Sequence, residues 1–279
     1  MSARRFALVA ALLVLAPALA ACGGGGGNDA KAVTATRATV PSTTPTTVAP
    51  TTAPPTTEPP AATTTPPATN APAPAAASSP VDSLIGVGSA RQVISVIADG
   101  YGQTTATFLA YERDGNGWRQ VFGPWTANVG GSGFAPPDAK REGDGRTPSG
   151  SYPFDFFFGV LGNPGVRFAY RDVTGPQIVW DDDPASPLYN EWVDTTMQTP
   201  GPGPEPMYNT PAYNYGAVIA YNSARTPGLG SAIFLHVSTG GSTAGCVALP
   251  QGQLLDVLRW LDPAQQPRIV MGIRGVVTQ

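Results

Sequence analysis

His236 and Cys246 are the residues of this 279-residue chain whose types and spacing could do covalent chemistry. His236 is the sole histidine, and Cys246 is the only cysteine besides Cys22 near the start. Both lie in Ile233–Pro250, IFLHVSTGGSTAGCVALP, ten residues apart with glycines between them. Imidazole beside a thiol stabilises the thiolate, the true nucleophile, against an ordinary pKa of ~8.5. The imidazolium so formed can protonate a departing amine. Gly245 leaves room for close backbone approach. Its N–H and that of Cys246 are expected to face a developing oxyanion, where such a donor contributes about 3 kcal/mol. Taken singly, a buried thiol and a packed imidazole are the ordinary roles of such residues. Their joint occurrence in one short stretch favours chemistry.

These two groups must be carried by definite elements. Ile233–Val237 is an apolar, β-branched and aromatic run, which predicts a buried strand with His236 near its end. Ser238–Ala244 is a loop of small residues. Leu254, Leu255, Leu258 and Leu261 recur at helical spacing after Pro250, which predicts a helix starting there. The group that orients His236 is left open between Ser238 and a backbone carbonyl.

The stretch resembles the active-site motif of YkuD-type L,D-transpeptidase catalytic domains, a histidine on a strand followed by [Ser/Thr]-His-Gly-Cys, a hydrophobic residue and Arg or Asn. His236, Thr243, Gly245, Cys246 and Val247 match it. Ala244 stands where many members carry a second histidine, and Ala248 where Arg or Asn is usual. The loop between His236 and Cys246 is also shorter than in the best-known members. Thr147-Pro148-Ser149-Gly150-Ser151-Tyr152 resembles a second segment that recurs in the family. By itself it reads as a turn feeding a strand, without chemistry of its own. The resemblance covers about Arg91 to Gly272. It implies a mainly β fold, a β-sandwich of mixed sheets with one or two short helices. It also implies a cysteine acyltransferase: Cys246 attacks a peptidoglycan stem tetrapeptide, His236 moves the proton, and a second stem resolves the thioester into a 3→3 cross-link. Gly245, Thr243 and Ser238 would support the oxyanion and the loop. Water as acceptor would give an L,D-carboxypeptidase. The reading from another class is an inactive wall-binding or scaffold lipoprotein, which the Ala244 and Ala248 departures favour and the retained His/Cys pair disfavours.

Residues 1–22 read as a targeting segment. Arg4 and Arg5 precede an apolar core from Phe6 to Leu15, too short to span a bilayer comfortably. Leu19-Ala20-Ala21-Cys22 resembles a bacterial lipobox, with Cys22 the lipidated residue. The alternative is an ordinary signal peptide cleaved beside an incidental Cys22. Residues 23–80 are Gly-rich, then Thr/Pro/Ala-rich, with almost nothing large and apolar to offset the entropy of ordering. At ~3.1 Å per residue, some fifty such residues reach on the order of 100 Å or more. That length suits a domain held off a membrane within a wall layer, and equally a passive spacer.

Residues 81–279 have globular composition, enough for one core. Arg91–Ala98 and Thr105–Arg113 read as strands, and Asp114-Gly115-Asn116-Gly117 as a hairpin turn. Arg268–Ile273 reads as a closing strand. Phe154–Phe158 is expected to be buried strand aromatics, and Asp181-Asp182-Asp183 a solvated turn in place of a calcium site. Tyr189–Trp192 and Thr199–Pro206 read as an elaborated loop region suited to covering a substrate. The first eighty residues hold Arg4, Arg5, Lys31 and Arg37 against Asp29 and Glu58, so the remainder is net negative. That balance disfavours nucleic acid as a partner. One histidine and one thiol fall short of a zinc site, and no cofactor is expected. The expected partners are peptidoglycan stem peptides and, through the Cys22 lipid, a membrane; no obligate protein partner is inferred. The expected location is extracytoplasmic, lipid-anchored and facing the cell wall. There an unpaired Cys246 is easier to understand if it reacts.

If Cys22 carries the lipid, the full-length protein partitions into detergent and Cys22→Ser does not. Equal release of both into the aqueous phase would leave a conventionally secreted protein.

Overall fold

The computed structural model describes residues 79–279. The targeting segment, Cys22 and all but the last two residues of the 23–80 tether lie outside them. The described chain opens with a 3₁₀ turn, Pro80–Ser83, whose Val81 is buried. Strands β1 (Gln92–Ala98), β2 (Thr105–Asp114) and β3 (Gly117–Asn128) follow as an antiparallel meander. Asp114 pairs with Gly117, so Gly115 and Asn116 form the two-residue turn, with Gly115 at φ 57°. A positive φ there matches the strand twist and costs glycine little.

After a long connection come β4 (Gly150–Gly159), β5 (Tyr170–Asp172), β6 (Ile178–Asp181), β7 (Glu191–Asp194), β8 (Glu205–Pro206) and β9 (Gly216–Ile219). The chain ends with β10 (Phe234–Val237), β11 (Val247–Leu249), helix α1 (Gln251–Trp260) and β12 (Arg268–Ile273). Nine strands form one sheet in the order β12-β1-β2-β3-β11-β10-β9-β4-β5. β12 pairs with both β1 and β4, so the sheet closes on itself. The expected β-rich architecture with mixed pairing is present as this one continuous sheet. It is parallel at β1–β12, β10–β11 and β4–β5. A small second sheet, β7-β6-β8, carries the Asp181–Asp183 and Thr199–Pro206 regions.

The centre of the main sheet is buried on both faces. Leu235, Val237, Val247 and Leu249 point into the main core with Leu254, Val257, Leu258 and Leu261 of the helix region. Phe234 and Cys246 point the other way, into a cluster with Phe156, Phe158, Trp180 and Tyr213. That period-two split explains why β10 reads as an unbroken apolar run. Phe154, Phe156, Phe157 and Phe158 are all buried, as their strand reading implied. The second sheet covers the Cys246 face, with Trp180 edge-on to Phe234 at 5.0 Å.

Helix α1 lies on β10 and β11, and Leu254 is wholly buried beneath it. Leu254→Ala should therefore lower unfolding free energy by about 2–5 kcal/mol. Urea denaturation followed by circular dichroism measures this, and a loss below that range would mean that the helix does not seal the sheet.

Candidate active site

Register places the two reactive groups together. In the parallel β10–β11 pair, Leu235 faces Val247 and His236 faces Ala248. Cys246, one residue before β11, therefore stands beside Phe234, on the same sheet face as His236 two residues on. Only residues 238–246 join the two parallel strands, fewer than such connections usually need. The loop achieves this by running against the residues just after β3 before re-entering. Thr243 N–H donates to the Val129 carbonyl at 2.9 Å, and Gly131 N–H to the Thr243 carbonyl at 2.8 Å.

His236 is buried, with Nδ1 2.9 Å from the Val237 carbonyl. A carbonyl only accepts, so Nδ1 carries the proton and Nε2 keeps its lone pair. The orienting group is thus a backbone carbonyl. Ser238, the other option, is engaged elsewhere: its hydroxyl donates to Asn128 Oδ1 at 2.6 Å and accepts from Gly240 N–H. Burial lowers the pKa of His236, and the Val237 and Ala212 carbonyls work against that. The imidazole is neutral near pH 7.

Cys246 departs from the thiolate expected of a Cys beside a His. Its thiol donates to the Ala232 carbonyl at 3.2 Å, and its sulfur accepts from Phe234 N–H at 3.3 Å. No hydrogen bond joins it to His236 among the described residues. Burial raises the thiol pKa strongly, and the Glu205 charge adds to the rise. The Phe234 N–H and Lys140 act the other way. Both shifts favour the neutral forms, a thiol and an unprotonated base.

The loop around Cys246 is held by two hydroxyls. Thr243 Oγ1 donates to the Cys246 carbonyl at 2.7 Å and accepts from Gly245 N–H at 3.1 Å. Thr147 Oγ1 reaches the same carbonyl at 3.3 Å and accepts from Gly130 N–H at 2.9 Å. The Thr147–Tyr152 segment, read as a bare turn, therefore steadies the nucleophile loop. Gly245 N–H is occupied and is not the free oxyanion donor expected of it. The Cys246 N–H has no acceptor among the described residues. Gly245 is at φ 154°, and a Cβ there would meet the Arg146 carbonyl at 2.9 Å, so glycine is required.

A cavity of about 300 Å³ opens over this face, lined by Cys246, His236, Ala244, Ala248 and the loop. Its far wall is acidic: Glu142, Asp182 and Glu205 line it together with Lys140. Lys140 is already committed to Asp144 at 2.6 Å. Sequence reasoning missed these residues because they come from three separate connections. The signal that existed was the Thr199–Pro206 loop, which supplies Glu205. The Asp181–Asp183 turn also differs from its reading. Asp181 is wholly buried and accepts from Ser186 Oγ at 2.6 Å and Gly201 N–H at 2.9 Å. It ties two loops together. Asp182, whose pKa burial and neighbouring carboxylates raise, faces the cavity.

Because burial favours the neutral thiol, alkylation of Cys246 in the ligand-free protein should rise with pH through a midpoint above the ordinary ~8.5. Iodoacetamide rates against pH test this, and a midpoint below that value would show a preformed ion pair with His236.

No curated protein and no solved structure was found to match the chain. A family model described as the YkuD L,D-transpeptidase catalytic domain matches residues 96–270, from within β1 to within β12. That span includes His236, Cys246, both clamping threonines and the closed sheet that holds them. The chain belongs to the YkuD family of L,D-transpeptidase catalytic domains.

Proposed function

We propose that this protein is a cysteine acyltransferase that forms 3→3 peptidoglycan cross-links through a thioester on Cys246. The observation that carries the reading is the shared cavity, in which a lone thiol and an imidazole with a free Nε2 lie on one strand face. As substrate enters, the Cys246 proton passes to His236 Nε2 and sulfur attacks the amide carbon after the L-configured centre of a tetrapeptide stem. The unengaged Cys246 N–H suits the oxyanion of the tetrahedral intermediate. His236 gives the proton to the departing D-alanine nitrogen as the C–N bond breaks. The amine of a second stem then attacks the thioester carbon, and the thiol is restored. An acidic far wall attracts the ammonium form of such an acceptor.

The lipoprotein form belongs to the same proposal. A lipid on Cys22 and the 23–80 tether would place the domain outside the membrane within reach of the wall. Ala244 and Ala248 line the cavity without reactive groups, and the thiol rests on Ala232. These two observations favour the second reading, an inactive wall-binding domain.

Intact-protein mass spectrometry after incubation with a carbapenem separates them. The acyltransferase acquires one covalent adduct, Cys246→Ala acquires none, and His236→Ala slows adduct formation by about 10²- to 10⁴-fold. A wild-type protein without an adduct, or an adduct that persists in Cys246→Ala, would overturn the enzyme reading.

A further inference from the structure

Tyr213 and Glu205 line the cavity of the His/Cys pair, and neither takes part in the proton transfers above. The Tyr213 hydroxyl donates to Glu205 Oε1, and its ring meets His236 edge-on with centroids 5.4 Å apart. The same ring is wedged edge-on against Phe234 at 5.7 Å and Phe158 at 5.6 Å. Its backbone is equally fixed. Tyr213 N–H donates to the Asn209 carbonyl at 2.7 Å, and its own carbonyl accepts from Val160 N–H at 2.9 Å. One residue earlier, the Ala212 carbonyl accepts from Val237 N–H at 3.0 Å, so the segment also grips the end of β10. Glu205 and Tyr213 both line the cavity that holds Cys246.

We propose that Glu205 and Tyr213 are a positioning pair for the nucleophile and its base, with the carboxylate anchoring the Tyr213 hydroxyl and the tethered ring fixing the plane of His236. The inference rests on the acyl-transfer reading of the same cavity and assigns the pair a task within it. Nδ1 of His236 is fixed by a carbonyl of its own strand, which leaves rotation and tilt of the ring to be limited by what packs on its face. Tyr213 supplies that limit. Its own hydroxyl stays protonated, since burial first and then Cys246 and Glu205 raise its pKa. It therefore remains a donor to Glu205 wherever the enzyme works.

The pair has a second consequence, through charge. Ionisable groups reach the Cys246 cavity from every side: Glu205 from β8, Lys140 and Glu142 from the β3–β4 connection, Asp182 after β6, Tyr213 before β9 and His236 from β10. Glu205 is the carboxylate that opposes thiolate formation, and Lys140 partly offsets it. Burial raises the pKa of Glu205 itself, with the Tyr213 hydroxyl acting the other way; once ionised, its charge favours the protonated thiol, the form less open to adventitious oxidation.

Two substitutions separate tether from charge. Glu205→Gln keeps an acceptor for Tyr213 but removes the negative charge, so Cys246 alkylation should move to lower pH. Near pH 8 that is roughly a tenfold faster reaction with iodoacetamide. Tyr213→Phe keeps the ring but frees it from Glu205. Carbapenem acylation should slow about tenfold while alkylation at high pH stays as in wild type, because loss of aim affects the base-assisted step alone. Circular dichroism confirms folding, and where either variant fails to fold, Glu205→Met, which also lacks the charge, or Tyr213→Leu, which also lacks the hydroxyl, serves in its place. Alkylation profiles that superimpose for wild type and Glu205→Gln, or a folded Tyr213→Phe that acylates at the wild-type rate, would overturn the pair. A wild-type protein that never acylates sinks the acyl-transfer reading instead, and the alkylation profiles then decide the charge effect independently.

Discussion

The parallel pairing of β10 with β11 is the constraint on which the rest of this domain depends. It sets Phe234, His236, Cys246 and Ala248 on one face, and Leu235, Val237, Val247 and Leu249 on the other. A one-residue slip in register would send the nucleophile into the core and an aliphatic side chain into the cavity. Both faces of the pair are buried, so such a slip meets a large apolar penalty. Helix α1 on one side and the small sheet on the other therefore protect the chemistry by protecting the register.

The short 238–246 connection follows from the same constraint. A loop of that length joins adjacent parallel strands only by leaning on a third stretch of chain, which it does through the Val129 and Gly131 backbone just after β3. Threonine hydroxyls at 243 and 147 then meet at one carbonyl, that of Cys246. This clamp fixes the backbone of the nucleophile while leaving its thiol a separate choice of partner. In the ligand-free site that partner is the Ala232 carbonyl. Ala232 itself has φ 52° and donates its N–H to Asn190 Oδ1 at 3.2 Å, so the resting place of the thiol is built by a loop carbonyl together with the first N–H of β10.

Neutral thiol and neutral imidazole are a consistent pair of states. Desolvation disfavours charge on either group, and an acidic wall further disfavours a thiolate. In the proposed reaction the proton moves as the substrate carbonyl arrives, and the Cys246 N–H is the donor left for the charge developing on oxygen. A permanently ionised thiol would be more reactive toward oxidants. Storage as the thiol is the safer resting form for a cysteine with no disulfide partner among the described residues.

The strand at Ile233–Val237, the Asp114–Gly117 hairpin, the helix after Pro250 and the closing strand at Arg268–Ile273 were legible because each is a local pattern. Period-two burial, a two-residue turn and a helical leucine spacing are properties of adjacent residues. So was the candidacy of His236 and Cys246, since both are rare and lie in one stretch. What packs around them was not legible. Asp181 reads as part of a solvated acidic turn, yet it is buried because Ser186 and Gly201 N–H come to it from other loops. Gly245 N–H reads as an oxyanion donor, yet a hydroxyl two residues before it takes it up. Glu205 and Tyr213 carry no motif, and they reach the site from β8 of the small sheet and from the segment before β9 of the main sheet. The amino-acid sequence by itself determined the elements that have a local pattern and which two side chains have the chemistry, while β7 and β8 form in stretches that read as loop. Only the tertiary structure decided the protonation state of that pair and its neighbours, because desolvation and charge act through space between segments far apart in the chain.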